Sequence, residues 1–259
     1  MLNLDINGRR VTARRGTMLL QAIREAGFEV PTLCHHAALE PYASCRLCVV
    51  EVRKPGRSAS RIVTACKYPV EAGLVVETET DPVLETRREV LDLLLARCPG
   101  SAVIRQLAAE AGLRRSSYPP DLNRDNCILC GLCVRVCAKL GYTAIAMAGR
   151  GPAREVASPL KEPPPDCVGC GSCARICPTD NIPLVDRNGQ RRIWDRDFEL
   201  VRCTACGRSY ITREYMQSRV AESGLPASHF ETCDECSRGR IAHTMYQHMV
   251  VSEKEQTHE

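Results

Sequence analysis

Cys127-Ile128-Leu129-Cys130-Gly131-Leu132-Cys133-Val134-Arg135-Val136-Cys137 is answered further along the chain by Cys167-Val168-Gly169-Cys170-Gly171-Ser172-Cys173-Ala174-Arg175-Ile176-Cys177. Both stretches have the spacing C-x2-C-x2-C-x3-C, and the repetition makes this the strongest signal in the chain. Zinc sites use cysteines in pairs, whereas triples plus one point to iron–sulfur clusters. Pro178 follows the second run, while Ala138 holds the matching place after the first; all eight candidate ligands are present despite that departure.

Outward from these runs, sixteen of the seventeen cysteines fall into four sets within 259 residues. The first set is Cys34, Cys45, Cys48 and Cys66, spaced C-x10-C-x2-C-x17-C, and the last is Cys203, Cys206, Cys233 and Cys236, spaced C-x2-C-x26-C-x2-C. In a secreted chain so many cysteines would read as disulfides, and in a reducing compartment as metal ligands. Met1 to Arg15 has no apolar run that reads as a secretory signal, and the longest apolar run, Leu93 to Ala96, is far from a membrane span. The cytoplasm is therefore the expected compartment. Aromatic residues make up only 4% of the chain, so several small metal-pinned modules are expected rather than one large core. The formal net charge of +4 does not point to nucleic acid, because the basic pairs are scattered. Each filled four-thiolate site also adds roughly two negative charges.

The paired runs resemble those of bacterial two-cluster ferredoxins, in which the fourth cysteine of each run serves the other cluster. That resemblance implies one [4Fe–4S] cluster on Cys127, Cys130, Cys133 and Cys177, and a second on Cys167, Cys170, Cys173 and Cys137. The crossover would place the two clusters close enough for electron hopping.

The N-terminal region reads as a small α+β module. Residues 2–6 alternate as a strand, Asn7-Gly8 signals a hairpin, and Val11 and Ala13 lie on the return. Thr17 is placed to cap a helix that carries Leu19, Leu20 and Ile23 inward and stops at Gly27. Strand-like runs follow at Val49 to Val52, Arg61 to Ala65 and Leu74 to Glu77. Two cysteines three apart on one loop, Cys45 and Cys48, suit one iron, and Cys34 and Cys66 a second. Backbone N–H groups of Ser44, Arg46 and Leu47 are placed to reach the sulfurs and tune the potential.

Ile6-Asn7-Gly8, Gly16-Thr17-Met18-Leu19-Leu20, Val30-Pro31-Thr32-Leu33-Cys34 and Ser44-Cys45-Arg46-Leu47-Cys48-Val49-Val50-Glu51-Val52 resemble the N-terminal [2Fe–2S] domain of the complex I 75-kDa subunit family. That family also includes the small diaphorase subunit of NAD-reducing hydrogenases and the front of iron-only hydrogenases. The resemblance implies a β-grasp ferredoxin fold with one [2Fe–2S] cluster on Cys34, Cys45, Cys48 and Cys66. The gap between Cys48 and Cys66 is long for the family, which predicts a longer loop around Lys54 to Ser60. The family's following linker carries a His and three Cys around a further [4Fe–4S] cluster. Here that segment reads Leu95-Ala96-Arg97-Cys98-Pro99-Gly100, with one cysteine and no histidine, so no cluster is expected and Cys98 reads as a free, partly buried thiol.

Thr80-Asp81-Pro82 predicts the start of a linker helix running to about Arg97, and a second helix is expected from Ala102 to Ala111. In the terminal set two short knuckles make a tetrahedral four-thiolate site, for which a zinc ribbon is expected. A fourth iron–sulfur cluster or a single iron remains open there. Thr212 is placed to cap a helix from Arg213 to Ser223, with Gly224 as its stop. His35, His36, His229, His243 and His248 show no ligand spacing.

The expected fold class is therefore α+β. It comprises a β-grasp [2Fe–2S] domain over residues 1–80, a helical linker over 81–117, a bacterial-type 2[4Fe–4S] domain over 118–192, a zinc-ribbon-like module over 193–242 and a polar tail over 243–259. No phosphate loop, dinucleotide fingerprint or nucleophile–base constellation is present, so no active site of its own is expected. Only 82 residues follow Cys177, too few for a hydrogen-activating or molybdopterin domain. The resemblance implies an electron-transfer subunit of an NAD(P)-linked oxidoreductase complex of hydrogenase or formate dehydrogenase type. Its expected partners are a flavin- and NAD-binding diaphorase-type subunit and a catalytic subunit or a ferredoxin. A ferredoxin-linked or bifurcating complex is the nearest alternative, and a redox-sensing interaction protein an alternative of another class.

Overall fold

The computed structural model describes residues 1–122 and 125–256, with side chains up to residue 246. Alternation at Leu2, Leu4 and Ile6 gives strand β1 (Leu2–Ile6) one apolar face. Asn7 and Gly8 both have positive φ, 52° and 77°, which turns the chain tightly into β2 (Arg9–Ala13). The Asp5 carboxylate accepts from the Gly8 N–H at 2.8 Å and fixes that turn.

Helix α1 (Leu19–Glu25) follows, and then β3 (Val49–Arg53), β4 (Ser60–Thr64) and β5 (Val75–Glu77). The sheet order is β2-β1-β5-β3-β4; β1 and β5 run parallel and every other pair is antiparallel. Leu19, Leu20 and Ile23 of α1 are buried with Ile6, Val50, Val52, Leu74 and Val76. A mixed sheet holding one helix in this way is the arrangement that the word β-grasp describes. Each such side chain contributes about 1.5–3 kcal/mol by leaving water.

Two local details differ from the sequence reading. Thr17 does not cap α1; Met18 stands at the N-cap without a side-chain bond. The Thr17 carbonyl instead accepts from Val70 N–H at 3.0 Å, beside a bridge between Met18 and Pro69, and this pairing sets where the helix begins. The extra length between Cys48 and Cys66 is largely the β3–β4 hairpin, paired from Val49↔Thr64 to Arg53↔Ser60.

Helix α2 (Asp81–Arg97) has Pro82 in its first turn, and α3 (Ala102–Glu110) is capped by Ser101, whose hydroxyl accepts from Ile104 N–H at 3.4 Å. They form a second core, in which Leu91, Leu95, Ile104 and Ala108 meet Leu33, Leu39, Leu47 and Leu132. The buried Arg87 of α2 donates to the Val49 carbonyl at 2.7 Å, tying the helix to β3. Asp92 receives the Ser116 hydroxyl at 2.6 Å, the Ser117 N–H at 2.9 Å and the Ser117 hydroxyl, anchoring the chain after α3. Helix α4 (Leu132–Lys139), the pair β6 (Ala146–Ala148) and β7 (Glu155–Ala157), and the short α5 (Ser172–Arg175) complete this part.

The chain divides into two compact units: residues 1–161 with 172–182, and residues 162–171 with 183–259. The second unit is a meander of β8 (Val185–Arg187), β9 (Gln190–Ile193), β10 (Arg196–Arg202) and β11 (Ser209–Thr212), antiparallel throughout. Helix α6 (Arg213–Ser223) is capped by Thr212, which accepts from Tyr215 N–H at 3.3 Å, and ends at Gly224 with φ 67°. Helix α7 runs over Asp234–Gln256, where the sequence offered only polar composition. Acidic residues in its first turn suit the helix dipole, and Gly239 is the single breaker within it. Among the described residues, no helix is long and apolar enough to cross a membrane.

Candidate metal centres

The first cysteine set is built where the two cores of the N-terminal unit meet. Cys48 and Cys66 are buried with the sheet residues, and Cys34 and Cys45 with the α2–α3 residues. All four sulfurs are close enough to act on one another. The Cys34 thiol donates to Cys45, which holds Cys34 well above the usual thiol range and brings Cys45 down to about 6. Cys48 and Cys66 form a second such pair, with Cys48 lowered and Cys66 raised by their mutual hydrogen bond.

Backbone amides point at this set. Leu33 N–H donates to the Cys45 sulfur and Cys45 N–H to the Cys34 sulfur, both at 3.4 Å. The Ser44 and Leu47 amides lower Cys34 and Cys45 in the same way. Positive φ at Ala43 (59°) and Arg46 (58°) folds the loop so that these amides turn inward. Four buried sulfurs in two facing pairs, with amide donors, suit a two-iron cluster.

In the first of the repeated runs, Cys127, Cys130 and Cys133 stand near one another and near Cys177. Burial is the main cause raising each of the three, Cys130 to about 11 and Cys133 to about 12, and the nearby Cys177 adds to the rise at Cys127 and Cys130. The fourth cysteine of the second run thus lies by the first run, as the crossover pattern implies. The Cys177 sulfur accepts from Asn181 N–H at 3.3 Å, while the Asn181 side chain donates to Asp125 at 2.9 Å.

The two runs share one turn. Leu129 N–H donates to the Cys127 sulfur and Gly169 N–H to the Cys167 sulfur, each at 3.4 Å. Leu129 and Gly131 have φ 54° and 71°; Gly169 and Gly171 have φ 67° and 76°. The second run is divided between the units, with Cys167 and Cys170 in the C-terminal one and Cys173 and Cys177 in the N-terminal one. Cys137 lies in α4, within the N-terminal unit.

In the terminal set the sulfurs of Cys203, Cys206, Cys233 and Cys236 all lie within 4.8 Å of one another. A tetrahedral ion with metal–sulfur bonds of about 2.3 Å holds its ligands about 3.8 Å apart, so a single ion fits with little adjustment. Cys233 N–H donates to the Cys203 sulfur at 3.3 Å, the main cause bringing Cys203 down to about 6. Arg208 donates to the Cys233 sulfur at 3.4 Å and pairs with Glu235 at 2.7 Å.

Cys98 is fully buried rather than partly so, and its desolvation pushes the thiol up to about 12. His36 accepts from Ala38 N–H at 3.2 Å in its own loop, and the side chain of His248 lies outside the described residues. Sequence reasoning missed Arg135. Its guanidinium donates to the Glu40 carbonyl at 2.6 Å and the Cys34 carbonyl at 2.8 Å, and lies 5.1 Å from the centre of the Tyr42 ring. The Ser44 hydroxyl donates to the Leu129 carbonyl at 3.3 Å. These bonds join the loop of the first cysteine set to the first repeated run. The repeat offered one signal, since Arg175 occupies the place in the second run that Arg135 holds in the first.

These sites define an iron–sulfur protein of ferredoxin-type domains. Residues 1–81 match a 2Fe-2S iron-sulfur cluster binding domain, and residues 121–184 and 166–210 each match a 4Fe-4S dicluster domain. The chain is related to NADH-quinone oxidoreductase, being 30% identical over 186 residues to an iron–sulfur subunit of that enzyme from Rickettsia prowazekii, which covers 62% of this chain and 27% of that one. It is 29% identical over 177 residues to the NADPH-Fe(3+) oxidoreductase subunit alpha of Geobacter sulfurreducens, covering 59% of this chain and 20% of that one. It is 28% identical over 187 residues to the mitochondrial NADH-ubiquinone oxidoreductase 78 kDa subunit of Neurospora crassa, covering 62% and 25%. The match therefore spans only 20–27% of the length of these relatives. Among solved structures, a chain of an NAD+-reducing [NiFe]-hydrogenase in the H2-reduced state superposes with a TM-score of 0.54 at 29% identity, covering 61% of this chain and 74% of that one.

Proposed function

We propose that this chain is the iron–sulfur electron-transfer subunit of a cytoplasmic NAD(P)-linked oxidoreductase complex of hydrogenase or formate dehydrogenase type. It relays electrons between a flavin- and NAD-binding diaphorase-type subunit and a partner catalytic subunit. Cys34, Cys45, Cys48 and Cys66 hold a [2Fe–2S] cluster over residues 1–80. Cys127, Cys130, Cys133 and Cys177 hold one [4Fe–4S] cluster, and Cys167, Cys170, Cys173 and Cys137 a second, within residues 118–192. Bound there, the clusters supply one-electron transfer.

The observation that carries this reading is the link between two kinds of site. Arg135, between Cys133 and Cys137, donates to the Cys34 carbonyl at 2.8 Å, and Ser44, next to Cys45, donates to Leu129, between Cys127 and Cys130, at 3.3 Å. Ligand loops in direct contact are what a relay needs and an isolated structural site does not. The relatives' names, which join NADH or NADPH to a further acceptor, support the same role.

For Cys203, Cys206, Cys233 and Cys236 we favour one zinc. Sulfurs within 4.8 Å of one another suit a single ion, whereas a four-iron cluster stands between its thiolates and holds them wider. The match over residues 166–210, which reaches Cys203 and Cys206, is the one observation on the side of iron. Metal analysis with EPR of the reduced protein decides both points. About ten irons and one zinc per chain are expected, and about fourteen irons without zinc would make the last set a fourth cluster. The isolated chain is expected to oxidise NADH only when a flavoprotein partner is added, and robust oxidation by the chain alone would sink the proposal.

A further inference from the structure

The hairpin that carries half of the terminal metal set also grips the second ligand loop. Cys203 and Cys206 sit in the turn between β10 and β11, closed by Cys203 N–H to the Arg208 carbonyl at 2.9 Å and Gly207 N–H to the Cys203 carbonyl at 2.8 Å. Thr204 N–H donates to the Glu231 carbonyl at 2.8 Å, which joins the other half of the set to this turn.

At its other end, the same hairpin meets residues 164–170. Arg196 of β10 donates to the carbonyls of Pro164 (2.7 Å), Pro165 (2.8 Å) and Cys167 (2.8 Å). Thr212 of β11 donates to the Val168 carbonyl at 2.6 Å. Arg191 of β9, only 2% exposed, donates to the carbonyls of Gly169 (3.2 Å) and Cys170 (3.4 Å) while Asp186 holds it from behind with two contacts of 2.8 Å. Every carbonyl from Cys167 to Cys170 is thus engaged. The fully buried Phe198 of β10 lies against Gly169, where an added Cβ would stand 2.6 Å from the ring.

This unit has little else to hold its hairpin. Its buried aliphatic and aromatic side chains, among the described residues, are Ile193, Phe198, Leu200 and Ile211, and α6 buries none. So small a core gains most of its order from a staple. A metal on four thiolates is such a staple, because its binding energy is folding energy.

We propose that the metal of Cys203, Cys206, Cys233 and Cys236 serves the second [4Fe–4S] site: it fixes the β10–β11 hairpin, through which Arg196, Thr212 and Phe198 hold Cys167 and Cys170 in ligand geometry. This assigns the terminal module a role in assembling the electron path, and makes Arg191, Arg196 and Thr212 positioning residues. It rests on the reading of Cys167 and Cys170 as cluster ligands.

The test uses the full chain, reconstituted anaerobically with iron, sulfide and zinc, in three forms: wild type, C206S/C236S and Arg196→Met. Iron and zinc per chain and EPR of the reduced protein are the readouts, with the [2Fe–2S] signal as internal standard. The double variant is expected to fall from about ten irons to about six, keeping the [2Fe–2S] signal and one [4Fe–4S] signal. Arg196→Met keeps all four terminal cysteines, and is expected to retain zinc while its second [4Fe–4S] signal weakens. A double variant with about ten irons and unchanged spectra overturns the proposal, as does loss of every cluster together. So does an Arg196→Met chain with an unchanged second signal. A wild-type chain with about six irons overturns the underlying reading as well, and thereby separates the two failures.

Discussion

The two repeated runs have the same cysteine spacing and the same turn, yet they are held differently. The first loop is secured at scattered points: Arg97 donates to the Cys127 carbonyl at 2.8 Å and Ser44 to the Leu129 carbonyl at 3.3 Å. The second has each carbonyl from Cys167 to Cys170 bonded to Arg196, Thr212 or Arg191. The first loop is part of a unit with two sizeable cores, and the second is part of a unit with a small one. A loop beside a deep core is kept in place by packing. A loop beside a shallow core needs explicit polar bonds, and those bonds are directional enough to set the geometry of two thiolates.

The sharpest way to break this comparison is at its matched residues, Leu129 and Gly169. Both adopt positive φ, but only Gly169 has an aromatic ring where its Cβ would be. Gly169→Ala adds an unfavourable backbone conformation and an overpacked contact with Phe198, together about 2–4 kcal/mol. Leu129→Gly relieves the same backbone strain and is expected to change stability by about 1 kcal/mol or less. Trp194, the single tryptophan, lies between β9 and β10 and reports unfolding of the C-terminal unit. Denaturant titration followed by its fluorescence should show a large drop for Gly169→Ala and almost none for Leu129→Gly. Equal effects would mean that the ring does not dictate the glycine.

Much of this was legible in the sequence because it is written locally. The hairpin at Asn7-Gly8, the start of α2 at Asp81-Pro82 and the capping of α6 by Thr212 depend on neighbours a few residues away. The cysteine spacing likewise brought Cys177 to the first run without any knowledge of the fold. What the sequence could not convey lies across long separations. Arg135 reaches Cys34 over 101 positions, and Thr212 reaches Val168 over 44. An arginine bound to carbonyls leaves no pattern of its own, since a carbonyl acceptor is present at every residue. Thr17 shows the reverse case: a good local cap was overruled because its backbone was already paired with Val70.

A smaller effect follows from Arg191. Replacing it by Met leaves Asp186 without its partner and releases the Gly169 and Cys170 carbonyls. A fully buried pair broken in this way would cost about 3–5 kcal/mol. Asp186 is 38% exposed and can return to water, so on the order of 2 kcal/mol is expected. Fluorescence of Trp194 should register it, whereas transitions of the N-terminal unit, followed by absorbance of the [2Fe–2S] site, should stay in place. Arg191→Lys should recover only part of the loss, because a single ammonium cannot span a carboxylate and two carbonyls.

The mildest change is expected at the matching cation of the first loop. Arg97 gives one charge-assisted bond, from its Nε to the Cys127 carbonyl, and it is only half-buried. Arg97→Met keeps the aliphatic stem that packs along α2 and loses that bond, for about 1 kcal/mol. The first run also retains Ser44 on Leu129 and Arg135 on the Cys34 loop, so its iron content should not change. If Arg97→Met instead stripped the first cluster while Arg191→Met spared the second, the order of dependence would be reversed. Polar bonding, rather than the depth of the neighbouring core, would then govern the first loop, and the contrast between the two runs would dissolve.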